Sequence, residues 1–158
     1  MGRGRPAKSV PEVSEEALRQ VKALVKTYGD TKQKCVLIPR KRRSLFTLMQ
    51  VTTENYDQIG RIEYNREAVE RIHPEDRKVI KNYEQRMHDI WILEHGVAAI
   101  PDDRTRAIAE DTLLKGKTCV ELEQKYGMTA RGIRKRKRSA LIEVAALAER
   151  INFCSVLH

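Results

Sequence analysis

Apolar residues recur along this chain at helical spacing, beginning with Leu18, Val21, Leu24, Val25 and Tyr28, which fall on one side of a helical wheel. Ser14 stands before them as a cap, Glu15 and Glu16 suit the positive end of a helix dipole, and Gly29 reads as the stop. Across residues 30–60 the periodicity breaks down. Residues 35–38 and 45–51 are apolar runs too short for length to separate strand from helix, and the helical context favours helix. Asn65 caps a short helix ending near Ile72. His73, Pro74, Glu75 and Asp76 then place proline at a first helical position with acids behind it. The helix that follows turns Val79, Ile80, Tyr83, Met87, Ile90, Trp91 and Leu93 inward, reaches about His95, and is closed by Gly96. This longest stripe reads as intramolecular core. A seam between two copies is its other reading, so a homodimer stays open.

Pro101, Asp102 and Asp103 open a further helix with Ile108, Thr112, Leu113 and Leu114 inward and Gly116 at its end. Thr118 and Glu121 have capping-box spacing, and Val120, Leu122 and Tyr126 give the short helix there an inward face. Gly127 ends it, because glycine takes a left-handed C-terminal conformation without strain; Met128 plugs the turn and Thr129 caps the next helix. That last helix points Ile133, Ala140, Leu141, Val144, Ala148 and Ile151 one way. Arg131, Arg134, Lys135 and Arg138 stack at i, i+3, i+4 and i+7 on the other side. A short helix, a glycine turn and a second helix make the helix-turn-helix plan, whose second helix enters the DNA major groove. Turn and wheel, argued separately, select Thr129, Ala130, Arg131, Arg134, Lys135 and Arg138 as groove-facing. The fold class is therefore all-α, with a disordered basic arm expected at 1–13, a helical region at 14–99, a three-helix module at 100–151 and a tail at 152–158.

Composition narrows the partner. The 158 residues carry 31 Lys and Arg against 22 Asp and Glu, a net charge of +9, which favours an anionic partner without separating DNA from RNA. No apolar run approaches the roughly 20 residues that span a bilayer, and the first residues have no apolar signal segment, so no membrane partner is expected. Cys35, Cys119 and Cys154 are odd in number and far apart, which suits reduced thiols in a cytosol, with Cys119 a small apolar filler beside the helix pair.

Other motifs carry less. Lys115, Gly116, Lys117 and Thr118 mimic the end of a phosphate-binding loop, but Asp111 stands where that loop needs glycine, so a helix-to-helix turn is expected. His73, His88 and His95 lack partners at metal-ligand spacing, and His88 reads as a helix-surface residue. Cys154 and His158 sit at i, i+4 with nothing to orient a nucleophile. Asp102 and Asp103 read as helix-start acids rather than a metal pair, and Tyr126 as packing rather than a stacking platform. Arg40, Lys41, Arg42 and Arg43 form a further basic cluster, either a phosphate contact or a solvated loop. No enzyme, metal or cofactor is expected.

Ile100 to Arg106, Leu114 to Thr118, Leu122, Tyr126 to Thr129, Ile133, Arg136, Ala140 and Leu141 together resemble the region-four fold of sigma factors. Within that group the chain looks most like the ArpU and RinA type of phage-encoded late-gene transcription activators. Glu123 stands where the pattern has a small alanine, and Lys137 where it has an apolar residue. The resemblance covers about the last third well and implies sequence-specific binding of double-stranded DNA near a promoter, with host RNA polymerase as a further partner. It also implies a place in the bacterial cytoplasm, at the nucleoid. Gly2 to Lys8 is similar to an AT-hook, in which Arg3 and Arg5 would lie along a narrow minor groove while Gly4 lets the backbone sink; a generic basic tail touching phosphates is the other reading. Two rival functions are a phage small terminase subunit and an RNA- or ribosome-binding basic protein.

Overall fold

The computed structural model describes residues 12–157, with side chains for 12–151. The arm residues Arg3 and Arg5 lie outside that range, as do the side chains of Cys154 and His158. The described chain is all-α. Its helices are α1 (Glu15–Lys41), α2 (Arg43–Leu48), α3 (Tyr56–Ile59), α4 (Arg66–Val69), α5 (Pro74–Ala98), α6 (Asp103–Ala109), α7 (Glu123–Tyr126) and α8 (Ala130–Leu157). The only sheet-like feature among the described residues is one antiparallel bridge, Thr52 to Glu63.

Local chemistry sets the helix starts. Ser14 Oγ accepts the Ala17 N–H at 3.1 Å to open α1. Asn65 Oδ1 does the same for Ala68 at 3.1 Å in α4, and His73 Nδ1 accepts from Glu75 at 3.2 Å in α5. Two expected stops are overturned. Gly29 does not end α1, which continues to Lys41. A glycine stops a helix where it takes positive φ, and Gly29 does not. Buried Thr31 and half-buried Cys35 and Ile38 carry the helix onward and offset the cost of glycine, about 1 kcal/mol relative to alanine. Residues 35–38 are thus helical, and the cluster from Arg40 to Arg43 spans the end of α1 and the start of α2 rather than a loop. Of 45–51 only the part up to Leu48 is helical.

Gly96 does not close α5 either. The helix runs on to Ala98, and Gly96 is buried inside it. A Cβ at this position would lie 3.0 to 3.2 Å from the Val144 side chain of α8, so the glycine permits close approach of two helices. Left-handed glycines occur where turns need them, at Gly60, Gly116 and Gly127.

The core has three parts. The largest joins Ala17 and Val21 of α1, Leu93 and Val97 of α5, Ala109 of α6, and Ala140, Val144 and Ala148 of α8. A second packs Leu45, Phe46 and Met49 against Ile62, Val69, Ile80 and Tyr83. Val79, Ile80, Tyr83 and Met87 of the α5 stripe pack in the second cluster and Trp91 and Leu93 in the first, while Ile90 is buried outside both, so the stripe serves the intramolecular core. A hydrogen bond from Ser14 N–H to Glu149 Oε1, 2.8 Å, ties the start of α1 to α8. His88 is buried, contrary to the surface position expected for it. Its Nδ1 lies 2.9 Å from the Gly60 carbonyl. A carbonyl only accepts, so Nδ1 carries the proton. Gly60 itself is pressed against Trp91, whose indole fills the space a Cβ would need.

Candidate nucleic-acid interface

The third core cluster builds the end of the molecule that carries the basic run. Ile108 of α6, Leu122 just before α7, and Ile133 of α8 are buried together, with half-buried Cys119, Tyr126 and Met128 packed on them. Thr118 and Glu121 close their capping box: Thr118 N–H donates to Glu121 Oε2 at 2.8 Å, and Glu121 N–H to Thr118 Oγ1 at 3.2 Å. The helix after the box is shorter than the spacing suggests. Residues 119–122 form turns and only Glu123–Tyr126 is helical. Val120 points outward, 64 % exposed, against the inward position expected for it. Leu122 and the left-handed Gly127, at φ 59°, fall as expected. Thr129 Oγ1 accepts the Gly132 N–H at 3.1 Å and caps α8.

From that cap α8 presents two faces. Ile133, Ala140, Leu141, Val144 and Ala148 are buried and Ile151 is partly buried. Arg131, Arg134, Lys135 and Arg138 are exposed on the other side, and none has an ion pair or side-chain hydrogen bond among the described residues. Thr129 is exposed and Ala130 half-exposed beside them. Arg136 is different. Its Nη1 donates to Asp102 Oδ2 at 2.9 Å and to Thr105 Oγ1 at 3.0 Å, while Asp102 caps α6 by accepting the Thr105 N–H at 2.8 Å. The six cations thus divide into four that face solvent, one that fastens α8 to α6, and half-exposed Lys137 between them. Glu123 and Lys137 are both partly exposed, which explains why neither disturbs the packing.

Asp111 was legible only as a residue that spoils a phosphate loop, yet it organises this end. It lies in a π-helical turn, Glu110–Leu114, with its side chain 2 % exposed. Lys125 Nζ donates to it at 2.7 Å, the Tyr126 hydroxyl also donates, and Lys115 Nζ approaches to 3.7 Å. One buried carboxylate therefore binds α7 to the helix before it. Its sequence signal was its place one turn after Ile108 on the inward face, with Lys115 four residues on. Burial works to raise the Asp111 carboxyl, but hydrogen bonds from Lys125 and Tyr126 and the charges of Lys125 and Lys115 outweigh it and hold it below the usual range.

A carboxyl depressed on folding contributes stability above its unfolded value, about 3.9, and loses that contribution as pH falls through the lower folded value. Asp111→Asn should therefore melt lower than the parent at neutral pH, with the difference shrinking below about pH 4. Thermal melts across pH 2 to 7 check this; a constant difference would show that packing, not charge, gives Asp111 its effect.

Among the described residues no group of three His, Cys, Asp or Glu is placed to hold a metal, and no helix is long and apolar enough to cross a membrane. No protein-family model matches the chain, and no curated protein or solved structure is significantly similar to it.

Proposed function

We propose that this chain is a sequence-specific regulator of transcription that binds double-stranded DNA, with the first turns of α8 in the major groove. One observation supports the reading above the others. Four cations without an ion pair among the described residues share one exposed helix face immediately after a left-handed glycine turn, while the opposite face of the same helix is buried. Unpaired exposed cations on a rigid element give up few internal contacts when they meet phosphate. Thr129 and Arg131, at the helix start, are assigned to base edges, where arginine can pair with guanine through two hydrogen bonds. Lys135 and Arg138 are assigned to phosphates, and Arg134 to either. The arm with Arg3 and Arg5 adds a minor-groove contact in this reading. Host RNA polymerase and a phage origin rest on the resemblance alone.

With about five phosphates neutralised, log affinity should fall against log salt with a slope near −4 to −5. Arg131→Ala should cost about 1–3 kcal/mol on the preferred site and relax base preference, whereas Arg138→Ala should weaken every sequence alike. Selection of bound sites from a random duplex pool, followed by titration of both variants, tests the assignment. Equal, sequence-blind losses would reject the roles, and tighter binding to structured RNA than to duplex would reject the function.

A further inference from the structure

At the corner where α1 passes into α2, Arg40, Lys41 and Arg43 are exposed and have no ion pair or side-chain hydrogen bond among the described residues. Arg42 between them is held by Asp76 of α5. These cations line an open depression of about 460 Å³ together with Leu45 and Leu48. Leu48 is 65 % exposed, and Val36 and Leu37, one turn before Arg40 and Lys41 on α1, are 52 % and 42 % exposed. Arg43 also occupies the first turn of α2, where the helix dipole disfavours a cation. An exposed leucine and a misplaced arginine, both lining this depression, run against folding preference. Such local conflicts concentrate where a surface serves a partner.

The corner is far from the start of α8. Arg42 meets α5 at Asp76, whereas α8 packs on α5 at Gly96, and 20 residues of one helix separate the two points, about 30 Å. Arg136 joins α8 to Asp102, past the end of α5, so the basic face of α8 belongs to the far end of that helix. A phosphate backbone would answer the cations but give Leu48 no apolar surface to bury against. A protein segment that carries carboxylates and an aliphatic side chain answers both, since interface cores favour arginine beside apolar anchors.

We infer that the α1–α2 corner docks an acidic segment of a protein partner, whose carboxylates meet Arg40, Lys41 and Arg43 and whose apolar side chain covers Leu48. The inference holds whether or not α8 reads DNA. The probes are short fluorescent peptides titrated against the full chain: one with glutamates and leucines at helical spacing, one with those leucines changed to serine, and a labelled duplex as the third. The leucine peptide should bind saturably, and the serine peptide at least about tenfold more weakly. Leu48→Ser and Arg43→Glu, both at exposed positions and checked for retained helicity, should each weaken the leucine peptide at least about tenfold and leave the duplex within about twofold. Equal binding of the two peptides would remove the apolar anchor. Loss of duplex binding in Arg43→Glu matching the peptide loss would make the corner a nucleic-acid contact. No saturable binding of the leucine peptide up to millimolar concentration would overturn the proposal outright.

Discussion

Reversing Arg131, Arg134, Lys135 and Arg138 together to glutamate should lower affinity for duplex DNA by at least about 1,000-fold while shifting the melting temperature by only a few degrees. Each lost phosphate contact forgoes counterion release, and each glutamate adds repulsion, so the penalties accumulate. Stability should hold because all four side chains are exposed and make no internal ion pair or hydrogen bond among the described residues. Exposed substitutions of this kind stay within about 0.5 kcal/mol each, and acids near a helix start favour its dipole. Arg136→Glu is the control. It sets a new carboxylate against Asp102, so it should melt earlier than the fourfold variant despite changing one residue. Gel shift and thermal melting on the same samples decide the matter, and a fourfold variant that still binds duplex would place the interface elsewhere.

Gly96→Leu should be the most damaging single substitution for stability, at about 3 kcal/mol or more. For a chain of this size that lowers the melting temperature by roughly 6–12 °C. The side chain would have to enter a space where even a Cβ meets Val144 at 3.0 Å, so α5 and α8 must separate or neighbouring residues must leave their rotamers. Gly96→Ala should lie within about 1 kcal/mol of the parent, because the gain in helix propensity offsets a shift of a few tenths of an ångström at Val144. Adding Val144→Ala to Gly96→Leu should recover part of the loss, and a double-mutant cycle measures the coupling. Strict additivity would mean that the two helices do not meet as described.

The two glycines at Gly29 and Gly96 show what the residue pattern can convey and what it cannot. Both follow a helical stripe, and sequence alone assigns both the role that Gly127 does fill. The distinction is φ, which depends on whether the chain beyond still has core to pack against. For Gly29 that core is supplied by residues 62–83, distant in sequence, so local periodicity could not reveal it. The face of α8 was legible because an uninterrupted helix obeys one geometry, and buried and exposed positions alternate as the wheel dictates. Within that face the special place of Arg136 was hidden, since its partner Asp102 lies 34 residues away. His88 escaped for the same reason, its anchor being a carbonyl 28 residues earlier. Val120 misled because a capping box starts a turn without guaranteeing the helix after it.

Because α8 is a single rod from its capped start into the middle of the bundle, its angle is held at two points, the Gly96–Val144 contact and the tie from Arg136 to Asp102. Arg131 lies 13 residues from Val144, about 20 Å along the axis. Were the Arg136 tie released, a tilt of only about 5° at the Gly96–Val144 contact would swing Arg131 by about 1.7 Å, on the scale that decides whether a hydrogen bond forms. The missing side chain at one buried glycine thus helps fix the direction of a rod whose cations never touch it.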